Sequence, residues 1–139
     1  MPVWQAVFIL ITNQVRVKGS DVGQDDRQLL LRLMSVLEER KQNPSEKSYT
    51  TRLFAGGTEK ISEKILEEAR EVIEAATETD SAARDHLIHE AADLIFHLLV
   101  MLGYKSIGWE EIEGELDRRF GISGLDEKAA RTSPEPPDS

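Results

Sequence analysis

Residues 91–102 read AADLIFHLLVML, and this stretch decides the fold class of the chain. Placed on a helix it is apolar almost all round, and Asp93 and His97 are its only strongly polar members. A helix that is hydrophobic on nearly every face is typical of the centre of a bundle. The stretch therefore predicts the second half of a central helix over 82–104, which follows a turn with capping residues at 79–81.

Helices are also predicted on either side of the central one. Leucine and valine recur at helical spacing over 26–41, and Pro44 ends that helix because the residue before a proline is pushed out of the α region. Toward the C-terminus, a helix over 109–120 follows the loop between Gly103 and Gly108.

A long amphipathic helix is predicted over 59–77, where apolar residues form one stripe. One or two helical turns over 48–55, capped by Ser48, come before it, and Gly56 and Gly57 break the chain between the two. Together these segments predict an all-α fold, a helical bundle of about four helices.

The length of 139 residues favours one domain with a tail at either end. We expect an all-α domain over 25–120, an N-terminal extension over 1–24 of unknown role, and a flexible C-terminal tail over 121–139. The apolar run over 3–11 is too short for a membrane-spanning helix, which needs about 20 residues. Since a chain of this size buries only a modest core, we expect the bundle to complete its core as a homodimer.

Composition excludes several classes of function. The chain contains no cysteine, which excludes disulfides, cysteine nucleophiles and thiolate zinc sites, and which fits the reducing cytoplasm where we expect the protein. Its formal net charge is −9, from 26 acidic and 17 basic residues. Nucleic acids and anionic membranes attract basic surfaces, so neither is an expected partner.

One face of the central helix carries candidate chemistry. The residues at i, i+4, i+7 and i+11 of this face are His86, Glu90, Asp93 and His97. Burying ionised carboxylates without partners is costly, so the fold must supply a cation or hydrogen-bond donors for them. We expect His97 to form a hydrogen bond inside the bundle, with proton transfer as the less favoured alternative, and His86 and His89 to lie at the surface.

A second acidic cluster, Glu67, Glu68 and Glu71, stands on the helix over 59–77. An antiparallel pairing with the central helix brings Glu68 and Glu71 to the carboxylates of that helix. Converging carboxylates repel one another unless a metal lies between them, and oxygen ligands suit magnesium or manganese better than zinc. The alternative is that this charge run only solvates an exposed face.

The segment before this helix is rich in basic residues. Between positions 40 and 64, six basic residues stand against three acidic ones, in a chain that is acidic as a whole. The six are Arg40, Lys41, Lys47, Arg52, Lys60 and Lys64. Further hydrogen-bond donors for a polyphosphate come from Ser48, Tyr49, Thr50 and the backbone amides of Gly56 and Gly57. The alternative is an ordinary solvated loop with a glycine hinge.

The acidic residues resemble a known signature. Glu67-Glu68-x-x-Glu71, followed after 18 residues by Glu90-x-x-Asp93, is similar to the E-E-x-x-E…E-x-x-D pattern of the all-α nucleotide pyrophosphohydrolase superfamily. More narrowly, the runs over 48–50 and 97–100 resemble the phosphoribosyl-ATP pyrophosphohydrolase family of histidine biosynthesis. The similarity covers roughly residues 26–130. Residues that depart from those usual in the narrower family are Leu66, Arg70 and Phe96.

The resemblance implies a role for each residue of the signature. The implied ligands of a magnesium ion are Glu68, Glu71, Glu90 and Asp93. Manganese can substitute for the magnesium. Glu67 is implied as a nearby group or base, so that the expected catalytic residues are Glu67 and Glu71. With the basic segment, the expected substrate-binding residues are Lys47, Ser48, Tyr49, Thr50, Arg52, Lys60 and Lys64.

The implied activity is the magnesium-dependent hydrolysis of phosphoribosyl-ATP, a small-molecule nucleotide, to phosphoribosyl-AMP and pyrophosphate. The metal would neutralise phosphate oxygens and lower the pKa of a water molecule, and the enzyme would act by positioning and charge stabilisation. A first alternative is a house-cleaning nucleoside triphosphate pyrophosphohydrolase of the same superfamily. A second is a non-catalytic helical interaction module whose acidic cluster only binds partners.

Overall fold

The computed structural model describes residues 29–120, and these fold into four α-helices without strands. The helices are α1 (Leu29–Gln42), α2 (Tyr49–Thr77), α3 (Ala83–Tyr104) and α4 (Trp109–Phe120). The all-α prediction is therefore confirmed, and α3 and α4 begin and end within a residue of the predicted bounds. The calls on residues 1–28 and 121–139, which include the N-terminal extension and the C-terminal tail, lie outside the described residues.

α2 consists of a short arm (residues 49–56) and a long segment (residues 58–77), which meet at Gly57. Ser48 caps the arm, because its side chain accepts a hydrogen bond from the backbone N–H of Thr51 at 3.3 Å. Gly57 has φ 67° and ψ −161°, a conformation open almost only to glycine. The predicted break is therefore confirmed as a kink at this residue.

α3 is the central helix, as predicted. It packs against α2 along its length and also contacts α1. The core cluster between these three helices consists of Leu33, Leu37, Leu53, Ile61, Phe96, Leu99 and Val100. By length and composition alone α3 is apolar enough to cross a membrane. Its buried residues, however, include Glu90, Asp93 and His97, and the position of the helix is that of a bundle's core helix.

α2 and α3 run antiparallel, joined by the short turn after Thr77. Successive contacts show the register, since Glu78 reaches His86 near the turn and Glu68 reaches His97 further along. At the far end, a Cβ built on Gly57 would lie 3.1 Å from the hydroxyl of Tyr104. This pairing is the one that the sequence predicts, and it carries the acidic residues of both helices to the same level.

Candidate active site

The acidic residues of α2 and α3 meet in two overlapping groups of three. Within each group, ligand atoms lie within 4.8 Å of one another. One group is Glu68, Glu71 and Glu90, and the other is His89, Glu90 and Asp93. The structure thus brings together the four carboxylates expected as metal ligands, with Glu90 common to both groups, and it adds His89.

Three of these carboxylates are buried, with Glu68 only 1% exposed, Asp93 3% and Glu90 8%. One oxygen of each, namely Glu68 Oε2, Glu90 Oε2 and Asp93 Oδ2, has no hydrogen-bond partner within residues 29–120. A buried acceptor without a partner is destabilising unless a cation or donor compensates it. The donor set of oxygens therefore fits a hard divalent cation, which Glu68, Glu71, Glu90 and Asp93 would hold.

The pKa values of the cluster reflect the same lack of compensation. Burial, followed by the hydrogen bond to Glu71 and the charge of that residue, raises the pKa of Glu68 to about 7. Burial, followed by the charges of Glu68, Glu90 and Glu71, raises the pKa of Asp93 to about 7. Burial also raises the pKa of Glu90. A divalent cation would favour the ionised form of all three.

His97 is fully buried and forms two hydrogen bonds. Its Nδ1 lies 2.8 Å from the backbone carbonyl oxygen of Asp93, and its Nε2 lies 2.8 Å from the hydroxyl of Tyr49. Because a carbonyl oxygen only accepts, Nδ1 donates to Asp93, and Nε2 accepts from Tyr49. Burial lowers the pKa of His97, which agrees with this neutral form. The predicted hydrogen-bonding role of His97 inside the bundle is confirmed.

His86 contacts the cluster more closely than the sequence indicates. Its Nδ1 lies 2.9 Å from the Glu78 carboxylate and its Nε2 lies 3.0 Å from Glu90 Oε1. The hydrogen bond to Glu78 raises the pKa of His86. The side chain is 41% exposed, as expected near a helix start. Its i, i+4 spacing to Glu90 is the signal in the sequence for this contact.

Lys64 is the predicted substrate-binding residue that lies nearest the acidic cluster. Its Nζ is 2.7 Å from Glu67 Oε2 and 3.6 Å from Glu68 Oε1. Burial lowers the pKa of Lys64, but the hydrogen bond to Glu67 and the charges of Tyr49, Glu67 and Glu68 together outweigh this effect, so the pKa is raised. Glu67 is 51% exposed and stands beside the buried carboxylates rather than among them.

The other residues predicted to bind substrate differ in what their side chains contact. Tyr49 is engaged with His97, and burial raises its pKa to about 12. Ser48 caps the arm, which accounts for its side chain structurally. Thr50 is 1% exposed, and its hydroxyl has no hydrogen-bond partner among the described residues. Lys47, Arg52 and Lys60 are exposed, and Lys60 pairs with Glu63 at 3.7 Å.

A groove of about 630 Å³ lies elsewhere, between α1 and the loop after α3. Its charged lining residues, Glu38, Glu39 and Glu110, are all acidic. No member of the carboxylate cluster lines it. Among the described residues, the acidic groups that could hold a metal ion lie between α2 and α3 and not in this groove, so the candidate site remains that cluster.

Comparison with known proteins gives the same assignment as the acidic signature. The sequence model of the phosphoribosyl-ATP pyrophosphohydrolase family matches residues 30–120, which include the whole cluster. The chain belongs to this family. Residues 1–29 and 121–139 lie outside the match.

Individual relatives of the family cover most of the chain. The phosphoribosyl-ATP pyrophosphatase of Rhodopirellula baltica is 52% identical over 100 residues, which are 72% of this chain and 83% of the relative. That of Geotalea daltonii is 50% identical over 103 residues, 74% and 94% of the two chains. That of Vesicomyosocius okutanii is 47% identical over 106 residues, 76% and 98%. The phosphoribosyl-ATP pyrophosphohydrolase family is a family of hydrolases, and the chain is accordingly an enzyme of that class.

Proposed function

We propose that this chain hydrolyses phosphoribosyl-ATP to phosphoribosyl-AMP and pyrophosphate in histidine biosynthesis, with Mg²⁺ as cofactor and Mn²⁺ as a substitute. The observation that carries the proposal is the set of three unpartnered carboxylate oxygens, on Glu68, Glu90 and Asp93, buried between α2 and α3. Such a set favours a bound cation, and the relatives are named for phosphoribosyl-ATP, which we take as the substrate.

The residues in and beside the cluster have different roles in the proposed reaction. Glu68, Glu71, Glu90 and Asp93 hold the divalent cation, which would supply charge neutralisation at phosphate oxygens and a lowered pKa for water. Glu67 is the candidate base, because it is exposed and adjoins the buried carboxylates. Lys64 holds Glu67 in place at 2.7 Å and brings a positive charge to the phosphate side of the site.

The arm of α2 supplies the proposed substrate-binding surface. The hydrogen bond between Tyr49 and His97 holds the arm above the metal ligands of α3. The residues proposed to contact the nucleotide from the arm and the start of the long segment are Lys47, Ser48, Tyr49, Thr50, Arg52 and Lys60. Positive charge from this side offsets the negative charge of the carboxylates, so that a polyanionic substrate can approach.

We also propose that the enzyme is a homodimer through the outer face of α2 and α3. Four exposed apolar residues stand on the outer sides of these helices, since Leu66 and Ile73 are one heptad apart on α2, and Ile88 and Ile95 are one heptad apart on α3. Each is 46–66% exposed, and a second copy of the same face would remove them from water. Light scattering should give a molar mass in solution of twice that of the chain. The Ile95→Asp variant should give the mass of a single chain.

We further propose a cytoplasmic location, with no nucleic-acid or membrane partner. The absence of cysteine from the sequence fits a reducing compartment, and the net charge of −9 opposes binding to anionic polymers and lipid headgroups.

The test of the proposed reaction is a pyrophosphate-release assay with purified chain, phosphoribosyl-ATP and Mg²⁺. A panel of nucleoside and deoxynucleoside triphosphates run in parallel addresses the house-cleaning alternative. We expect turnover of phosphoribosyl-ATP that chelation abolishes and added Mg²⁺ restores. Turnover of deoxynucleoside triphosphates with none of phosphoribosyl-ATP would refute the substrate assignment. The absence of both turnover and thermal stabilisation by Mg²⁺ would favour a non-catalytic module.

A further inference from the structure

The groove between α1 and the loop after α3 combines apolar and acidic lining residues. Its large apolar lining residues are half-buried, and they are Leu31, Met34 and Ile107. Its charged lining residues are exposed, and they are Glu38, Glu39 and Glu110. The volume of about 630 Å³ falls in the range of about 300–1,000 Å³ that is usual for ligand pockets. The groove therefore suits an occupant that combines apolar side chains with positive charge.

The chain itself contains a segment with this combination. Residues 3–11 read VWQAVFILI, and the basic residues Arg16 and Lys18 follow them. Residues 1–20 contain these two basic residues and no acidic one, so their formal charge is +2 in a chain whose net charge is −9. The family match begins at residue 30, so this segment lies outside the part of the chain that the family shares.

The segment is joined to the chain close to the groove. α1 begins at Leu29, two residues before the lining residue Leu31, and the lining residues from 31 to 42 extend over about 17 Å of this helix. Residues 12–28 can span up to roughly 55 Å, so the apolar run can reach every part of the groove. Covalent attachment also raises the effective concentration of the run at the groove.

We propose that the apolar run (residues 3–11) of the same chain docks in this groove, and that Arg16 and Lys18 lie near its acidic residues. Docking would remove the apolar lining residues from water and bring charges of opposite sign together. It would also add to the connection between α1 and the loop after α3, where Lys41 Nζ already donates to the carbonyl oxygen of Gly103 at 3.0 Å. The inference goes beyond the proposed function, since none of the proposed metal ligands lines the groove.

A second copy of the chain is the competing occupant. If the groove faced its own copy across a twofold axis, the acidic residues of both copies would meet and repel one another. The apolar run of a second copy has the same composition as that of the first, so it could enter the groove instead. The two arrangements differ in whether a crosslink between run and groove joins one chain or two.

Because the sequence contains no cysteine, a pair of introduced cysteines can be crosslinked in the full chain without competing thiols. The test pair is Ala6→Cys with Ser35→Cys, since Ser35 is exposed and lines the groove; Gln42→Cys is a second exposed groove position. The matched control pair is Ala6→Cys with Ser81→Cys. Ser81 is exposed in the turn before α3, and the length of that helix separates it from Gly103 by about 30 Å.

The measurement is the rate of disulfide formation under mild oxidation, followed by non-reducing electrophoresis, with thermal unfolding to verify that each variant is folded. A disulfide requires the two Cα atoms to come within about 7 Å. We expect the test pair to crosslink within one chain at least about tenfold faster than the control pair, because docking concentrates one thiol at the other. Adding Arg16→Glu and Lys18→Glu should slow the test pair, and adding Glu38→Lys and Glu39→Lys as well should restore its rate.

Equal rates for the two pairs, or a rate that the charge reversals leave unchanged, would overturn the docking of the run. Crosslinks at twice the chain mass would assign the groove to the run of a second copy, and would overturn docking within one chain. Crosslinking records no turnover, so its failure leaves the proposed hydrolysis untouched. Failure of the pyrophosphate-release assay would likewise leave a docked run in place.

Discussion

The hydroxyl of Tyr49 donates a hydrogen bond to Nε2 of His97 at 2.8 Å, although a straight α2 would carry Tyr49 well away from that residue. Glu68 approaches the other ring nitrogen of His97, at 3.9 Å, and stands nineteen residues after Tyr49. In an unbroken helix the two would be roughly 28 Å apart. The kink at Gly57 therefore turns the arm back onto α3, so that Tyr49 reaches His97.

Tyr49→Phe removes the hydrogen bond that holds the arm to His97. Since Nε2 of His97 would be left buried and unpaired, we expect a loss of about 1–3 kcal/mol in the free energy of unfolding. The KM for phosphoribosyl-ATP should rise more than kcat falls, because the arm belongs to the proposed substrate-binding surface and carries none of the proposed metal ligands. Thermal unfolding and steady-state kinetics measure the two effects. Tyr104→Phe is the control, and an equal effect of both substitutions would refute this role of Tyr49.

Gly57→Ala tests the kink itself. An alanine at φ 67°, ψ −161° is strained, and its Cβ would lie 3.1 Å from the hydroxyl of Tyr104, so we expect a destabilisation of about 1–3 kcal/mol. Gly114→Ala is a control of opposite sign, because Gly114 lies within α4 with open space around it. It should stabilise the protein by about 0.5–1 kcal/mol. Chemical denaturation distinguishes the two, and a neutral Gly57→Ala would contradict the strain argument.

The sequence predicts the helices well because their signals are local. The periodicity of 91–102, the cap at Ser48 and the break at Gly56 and Gly57 all depend on neighbouring residues. The direction in which the arm turns at the kink does not depend on neighbouring residues alone. It is decided by the positive φ of Gly57 together with a contact to His97 on another helix. That long-range contact could not be read from spacing.

In the candidate site, too, the local spacing could be predicted from the sequence and the long-range contacts could not. The i, i+3 spacing in each helix predicts that carboxylates face one another, and the antiparallel register brings this about. The sequence does not indicate that His89 joins Glu90 and Asp93, because a histidine near a helix start is more often a solvated residue. Side-chain direction and burial, which depend on packing, decide that point.

The stability of the metal-free protein should fall as pH rises. Glu68 has a pKa of about 7 in the folded chain and an ordinary value of 4.5, so the folded state binds more protons than the unfolded state between these pH values. Stability is then greatest below about pH 4.5 for this group, and it is lost progressively up to about pH 7. His97, whose pKa is lowered, acts in the opposite direction at acid pH.

The measurement is the thermal midpoint of wild type and Glu68→Gln in a chelator, from pH 5 to pH 8. Because glutamine cannot ionise, the variant should gain stability over wild type as pH rises, and the comparison cancels the contribution of His97. Glu74→Gln, an exposed residue on the same helix, should follow wild type. Added Mg²⁺ should stabilise wild type more at pH 8 than at pH 5, and a pH-independent difference between the variants would be incompatible with the raised pKa.

Glu71→Ala should abolish turnover while leaving the fold intact. Glu71 is half-buried and groups with Glu68 and Glu90, so its loss removes a proposed metal ligand and also relieves repulsion between like charges. We expect kcat/KM to fall by at least about 100-fold, beyond the usual effect of losing a residue that only supports a ligand. The unfolding midpoint without metal should be unchanged or higher. Near-normal activity would show that the ligand assignment is wrong.

His86→Ala should weaken Mg²⁺ binding without removing a ligand. His86 connects Glu78 to Glu90 through hydrogen bonds of 2.9 and 3.0 Å, so it fixes which Glu90 oxygen faces the other carboxylates. Loss of such a supporting contact typically costs about 10- to 100-fold in metal affinity, which calorimetric titration with Mg²⁺ measures directly. His86→Gln, which keeps an N–H donor, should recover part of the affinity, whereas Arg84→Ala on the same exposed turn should have no effect. If His86→Ala binds Mg²⁺ as tightly as wild type, Glu90 is held by the packing of α3 alone.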